Sequence, residues 1–206
     1  MDESKSLAGR TALVSGVSGA IGEAVTGLLK TRGARVIGFD RLEPQAGLYL
    51  DEFVEVELGC AGSFPSIQCP AKTLDYVIHL AGGALREEVE GQGLVCDRSV
   101  IDRTLNDNFN SLIDLLAITQ GSMAMGSSIT AVSSINALRP FGLPLYSAAK
   151  GAVNSYVTAI APDLARQGVK INAIALGTVE HKGVRKLHSS DEDHFVRLMG
   201  HGADRA

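Results

Sequence analysis

The stretch Thr11-Ala-Leu-Val-Ser-Gly-Val-Ser-Gly-Ala-Ile-Gly22 decides how this chain folds. Its first five residues form a short apolar run of the kind that suits a strand buried on both faces. Three glycines follow, and an amphipathic helical pattern starts before the last of them. Strand, glycine loop and helix N-terminus together make an anion site, because free backbone N–H groups and the helix dipole both attract negative charge. Gly16 allows the tight turn, Gly19 or Ala20 the close approach of a phosphate, and Gly22 the packing of helix on strand, with Ser18 and Ile21 in the same loop. An ordinary strand-to-helix turn shares this pattern, so the loop needs support from elsewhere.

That support comes at the end of a second apolar run, Val36-Ile-Gly-Phe-Asp40, which sets a carboxylate 18 residues after Gly22. An acid about 20 residues on is expected to receive the adenosine ribose hydroxyls of a dinucleotide. Asp40 repels a 2′-phosphate and so favours NAD. Arg41 beside it argues for NADP, since a guanidinium there pairs with that phosphate. NAD is the expected cofactor and NADP the alternative.

Outward from this unit, apolar β-rich runs alternate with segments of helical period, at residues 11–15, 35–40, 53–56, 74–80, 128–133 and 170–176 for strands and 21–31, 100–120 and 146–166 for helices. The alternation predicts an α/β fold, a Rossmann-type doubly wound parallel sheet flanked by helices. Pro44, Pro65 and Pro70 leave room for only a short helix between the third and fourth strands. The charge run Leu85-Arg-Glu-Glu-Val-Glu90 reads as a solvated helix face or loop, with no function assigned.

At 206 residues the chain suits one domain. Its 23 acidic and 19 basic residues are scattered, with a net charge of −4 and no basic cluster to follow a phosphate backbone, which argues against a nucleic-acid partner. Cys60, Cys69 and Cys96 have neither CxxC spacing nor a histidine at ligand spacing, so reduced thiols and no metal are expected. The histidines at 181, 188, 194 and 201 read as exposed and unliganded. The start is polar and no apolar run reaches a membrane span, which predicts a cytoplasmic protein with no membrane partner.

The strongest chemical signal is Tyr146-Ser-Ala-Ala-Lys150 near a helix start. Residues four apart project from one face, so phenol and ammonium can point into one cleft. A free phenol titrates near ~10, and a neighbouring ammonium favours the phenolate, tuning Tyr146 as an acid/base near neutral pH. Upstream, Ile129-Thr-Ala-Val-Ser-Ser134 ends a strand with two hydroxyls that are placed to hold a substrate oxygen or simply to form a turn.

In this order the motifs resemble the short-chain dehydrogenase/reductase family: the Gly16/Gly22 loop, Asp40, His79-Leu-Ala-Gly82, Asn108, Ser133-Ser134 and the Tyr146/Lys150 pair span nearly all of the chain. The resemblance implies an oxidoreductase that interconverts a secondary alcohol and a ketone, with a small-molecule substrate and a homo-dimeric or tetrameric assembly. It implies Tyr146 as acid/base, Lys150 lowering its pKa and binding the nicotinamide ribose, Ser134 at the substrate oxygen and Asn108 holding a water of the proton relay. Ser133 fits the family's serine-to-tyrosine interval and Ser134 the strand register. Asn106 and Asn110 compete with Asn108.

The chain departs from the pattern in three places. His79-Leu replaces the two asparagines before Ala81 and Gly82, a change expected to affect stability more than cofactor approach. After the last strand, Leu176-Gly-Thr-Val179 stands where the family has Pro-Gly; Gly177 and Val179 match positions at the nicotinamide. The resemblance also implies a last helix and seventh strand beyond residues like 195–206, which this sequence lacks. A seventh strand missing there leaves the sixth as an open edge and raises an alternative, a catalytically weak NAD-binding protein with an interaction role. A sugar-nucleotide epimerase shares the tyrosine and lysine but needs a longer substrate domain.

Overall fold

Within Thr11–Ser15 (β1), Leu13 and Val14 are both fully buried yet belong to separate apolar clusters, one on each face of the strand. A strand sends successive side chains to opposite faces, so an uninterrupted apolar run is stable only where both faces are covered. Val36 and Ile37 of β2 (Arg35–Asp40) divide in the same way. This is why the sequence reads as runs rather than alternation. The computed structural model describes residues 6–44, 49–60, 67–90, 97–140 and 142–179.

The six described strands, completed by β3 (Glu52–Glu55), β4 (Leu74–His79), β5 (Met123–Ser134) and β6 (Lys170–Leu176), pair in the order β3-β2-β1-β4-β5-β6. All neighbouring pairs are parallel. The order reverses between β1 and β4, so the chain leaves these two strands in opposite directions and opens a crevice at their C-terminal ends. Helix α1 (Ala20–Thr31) packs beside β1 and β2. On the larger cluster's side, α4 (Ser111–Thr119) and α5 (Pro144–Arg166) contribute Leu112, Leu115, Val153 and Val157.

The helix expected over 100–120 is a composite. It consists of α3 (Arg98–Leu105), a π turn at Asn106–Asn110, α4, and a 3-10 turn at Gln120–Ser122. A period count does not reveal a π turn, because one extra residue shifts the apolar stripe without ending the helix. Strand β5 begins five residues earlier than expected. Its pairing with β4 is irregular between Leu74 and Tyr76, where the Ser127 hydroxyl donates to the Leu74 carbonyl at 2.7 Å and accepts from the Ala124 N–H at 3.0 Å. The run 85–90 contains α2 (Arg86–Glu90). A helix between the third and fourth strands would fall partly on residues 61–66, and a last helix and seventh strand beyond 179; both lie outside the described residues, as do Cys96 and the four C-terminal histidines. Among the described residues no helix is long and apolar enough to cross a membrane, and no cluster of metal-ligating groups occurs.

Candidate active site

The turn after β1 depends on two glycines pressed against backbone. Gly16 has φ +76, and a Cβ there would lie 2.6 Å from the Ala81 nitrogen in the segment that follows β4. A Cβ on Gly22 would lie 2.2 Å from the Gly16 carbonyl oxygen. The loops after β1 and β4 therefore meet at the switch point with no room for side chains between them. Helix α1 starts from Gly19, and no side chain caps its N-terminus.

A cavity of ≈ 440 Å³ opens there. Gly16, Ser18, Gly19, Ala20, Ile21, Gly22, Asp40, Arg41, Ala81 and Gly82, all expected at a cofactor, line it. Val56, Leu58 and Glu57 line it as well and were missed from sequence. They follow the third strand at its C-terminal end, where a parallel sheet presents residues to the crevice; the strand assignment itself carried that signal. Val56 and Leu58 are buried and apolar, forming a slot suited to a flat base.

The Asp40 carboxylate accepts the Ser18 N–H at 2.9 Å and the Leu42 N–H at 3.1 Å. A carboxylate has about four lone-pair sites, so acceptor capacity remains for ribose hydroxyls. The Arg41 guanidinium extends toward Asp107, at 3.4 Å, and Glu57, at 3.5 Å. The uncapped helix end, the glycine cradle and the apolar slot fit a dinucleotide: Ala20 and Ile21 at its pyrophosphate, Asp40 at its ribose, and Val56 and Leu58 at its base.

Strand β5 ends at Ser134, whose hydroxyl faces the Tyr146 phenol closely enough to favour the phenolate, and which accepts the Asn136 N–H at 3.2 Å. Ser133 donates instead to the Lys150 carbonyl at 3.2 Å. The register of the strand thus brings Ser134, not Ser133, to the tyrosine. Helix α5 begins after Leu143, a left-handed residue at φ 47, with Pro144 in its first turn. The Lys150 side chain is buried; its Nζ donates to the Val132 carbonyl at 3.0 Å and lies 5.8 Å from the Tyr146 ring centroid.

Burial pushes the Lys150 ammonium down to about 8. Burial also raises the Tyr146 phenol above its ordinary value, opposed by the Ser134 hydroxyl. This direction differs from the sequence expectation of a phenol lowered by the ammonium. The physical reason is that both groups sit in a desolvated place that penalises either charge.

Asn108 is fully buried in the π turn. Its Oδ1 accepts the Gly83 N–H at 2.9 Å, and its Nδ2 donates to the carbonyls of Gly83 at 2.9 Å and Thr104 at 3.0 Å. Both ends of the amide hold backbone, and the side chain makes no hydrogen bond to Lys150. Asn106 and Asn110 bond to each other at 2.7 Å. Gly177 and Val179 continue from β6, just beyond Leu176, the register partner of Ser134, and do not line the cavity. The structure therefore brings ten expected cofactor residues into one cavity and Ser134, Tyr146 and Lys150 into a neighbouring cluster.

With this geometry in view, comparison with known proteins gives one family. Residues 16–199 match the family model described as enoyl-(acyl carrier protein) reductase. The 3-oxoacyl-[acyl-carrier-protein] reductase FabG of Vibrio harveyi is 30% identical over 193 residues, covering 88% of this chain and 78% of the relative. A short-chain dehydrogenase family protein from Francisella tularensis superposes with a TM-score of 0.76 at 22% identity, over 90% of this chain and 76% of the other. The crystal structure of BdcA in complex with NADPH gives 0.71 at 22% identity, over 86% and 74%. The chain belongs to the short-chain dehydrogenase/reductase family of NAD(P)-dependent oxidoreductases.

Proposed function

We propose that this protein interconverts a secondary alcohol and a ketone with NAD as cofactor and Tyr146 as the acid/base. The observation that carries the reading is the Ser134–Tyr146–Lys150 cluster at the C-terminal end of β5, on the same side of the sheet as the cavity at the switch point. A nicotinamide bound here supplies the hydride acceptor or donor. The Ser134 hydroxyl orients the substrate oxygen next to the phenol. In reduction Tyr146 donates its proton to that oxygen as hydride reaches the carbonyl carbon; in oxidation the phenolate takes the hydroxyl proton as hydride leaves. Lys150 stabilises the phenolate and holds the nicotinamide ribose. Asn108 keeps Gly83 against the π turn through both ends of its amide.

A phenol raised by burial stays protonated at neutral pH, which suits the reductive direction. Reduction is expected to hold through neutral pH and fall as pH rises through the Tyr146 value, with oxidation rising over the same range. The first probe is an acetoacetyl thioester, chosen because the Vibrio harveyi relative is a 3-oxoacyl reductase. Consumption of NADH measures turnover. Tyr146→Phe is expected to lose a factor of about 10²–10⁴ in kcat; retained turnover in that variant sinks the reading.

NAD is favoured because Asp40 would lie against a 2′-phosphate while Arg41 is turned toward Glu57 and Asp107. NADPH, bound in BdcA, is the second reading, since Arg41 lines the same cavity. Asp40→Ala is expected to move the ratio of kcat/KM values toward NADPH by about tenfold or more. An unchanged ratio would assign the preference to another residue.

A further inference from the structure

Glu88 lies in the charge run that reads from sequence as solvated, yet it is only 2% exposed. Its Oε1 accepts the N–H groups of Leu145 at 2.6 Å and Tyr146 at 3.1 Å, and its Oε2 accepts the Tyr146 N–H at 3.2 Å. Helix α5 has no cap of its own: Leu143 offers no side-chain oxygen and Pro144 carries no N–H. Its first N–H groups are satisfied instead by a carboxylate 57 residues upstream. An Asp, Ser or Asn at the N-cap position would end the helix for about 1 kcal/mol without burying a long charged side chain from another element. What distinguishes Glu88 is that its carboxylate is bonded to the backbone of the residue bearing the phenol. Its neighbour Glu87 pairs with Arg103 of α3 at 2.6 Å, so α2 is tied to both helices.

We propose that Glu88 is a positioning residue for Tyr146, holding the backbone that carries the phenol and coupling α2 to the reacting hydroxyl. The proposal rests on the reading of Tyr146 as the acid/base. The carboxylate also places negative charge at the positive end of the α5 dipole. Among the described residues, Lys150 lies by the Tyr146 ring, the exposed Glu87–Arg103 pair joins α2 to α3, and His79, which feels the Lys150 charge, is held neutral by burial. Glu88 thereby joins α2 to the backbone of the tyrosine.

Two variants separate positioning from folding. Glu88→Ala removes the cap; Glu88→Gln keeps an acceptor and removes the charge. With the acetoacetyl thioester and NADH, Glu88→Ala is expected to lose about 30-fold or more in kcat, with KM within about threefold and NADH binding by fluorescence within about twofold. Glu88→Gln recovers most of kcat. The tyrosinate absorbance of each protein minus that of its Tyr146→Phe counterpart reports the phenol directly, and Glu88→Gln is expected to move its titration to lower pH. A kcat within threefold of the parent in Glu88→Ala together with an unmoved titration overturns the proposal. So does a loss of kcat, NADH binding and melting temperature in step that glutamine does not rescue. Failure of the parent to turn over the probe counts against the proposed reaction alone; the absorbance titration then decides for Glu88, a shift supporting it and no shift overturning it.

Discussion

Lys150 carries a charge into a place that resists it, and that sets up a trade between stability and chemistry. Among the described residues no carboxylate pairs with it, and burial lowers its folded value to about 8 from 10.5. Between those two values the unfolded chain binds more protons than the folded one, so Lys150 makes stability rise with pH across that window and costs stability below it. Lys150→Met is expected to raise the melting temperature at neutral pH, remove the rise between about 8 and 10.5, and abolish most turnover. Thermal melts across pH, compared with the parent, check the sign. Ser133 and Ser134 show where residue-scale reading stops. Both hydroxyls are plain in the sequence and both meet α5, Ser133 at the Lys150 carbonyl and Ser134 at the Tyr146 phenol, a division that only the docking of α5 on the end of β5 decides. Glu88 was harder still, since a buried acid in Arg-Glu-Glu-Val-Glu looks like its exposed neighbours until its partners are known.

At the scale of elements, the strand, loop and helix after β1 were legible because each depends on neighbours in sequence. The glycine spacing announced a tight strand-to-helix loop, and the structure adds what Gly16 and Gly22 are pressed against. Gly16→Ala meets backbone of a second loop at 2.6 Å and carries φ +76, so neither side can yield. It is expected to lower both the melting temperature and NADH affinity, the latter by about tenfold or more. At Gly19 the nearest atom to an added Cβ is 3.5 Å away and φ is −82, so Gly19→Ala should weaken NADH binding while leaving the melt near that of the parent. Equal melts for the two variants would contradict the assigned strain. The long helix over 100–120 was legible as helix but not as a π turn. The extra residue at Asn106–Asn110 accompanies the inward placement of Asn108 on Gly83, a contact 25 residues apart that no helical period encodes.

At the scale of the whole molecule, His79, buried where β4 meets the start of α4, contributes to acid sensitivity. Ser111 donates to the Asp107 carbonyl at 2.8 Å, so it accepts from Nε2 of His79, at 3.0 Å, and the ring is the neutral Nε2–H tautomer. Burial, with Lys150 adding to it, pushes His79 down to about 3 from 6.5. The folded state refuses a proton that the unfolded chain accepts below about 6.5, so this stability is full above that pH and is lost as pH falls toward 3. His79→Asn, followed by circular dichroism against pH, is expected to move the acid unfolding midpoint to lower pH; an unmoved midpoint would place the acid sensitivity elsewhere. The sequence by itself determined the strand runs, the switch-point loop, the acid that ends β2 and the tyrosine–lysine pair, because each is a pattern within one element or one turn. Only the tertiary structure decided that Ser134 meets Tyr146, that Arg41 turns to Glu57 and Asp107, and that Glu88 caps α5. Those outcomes depend on which surfaces the parallel sheet brings together across tens of residues, and local periodicity carries no record of them.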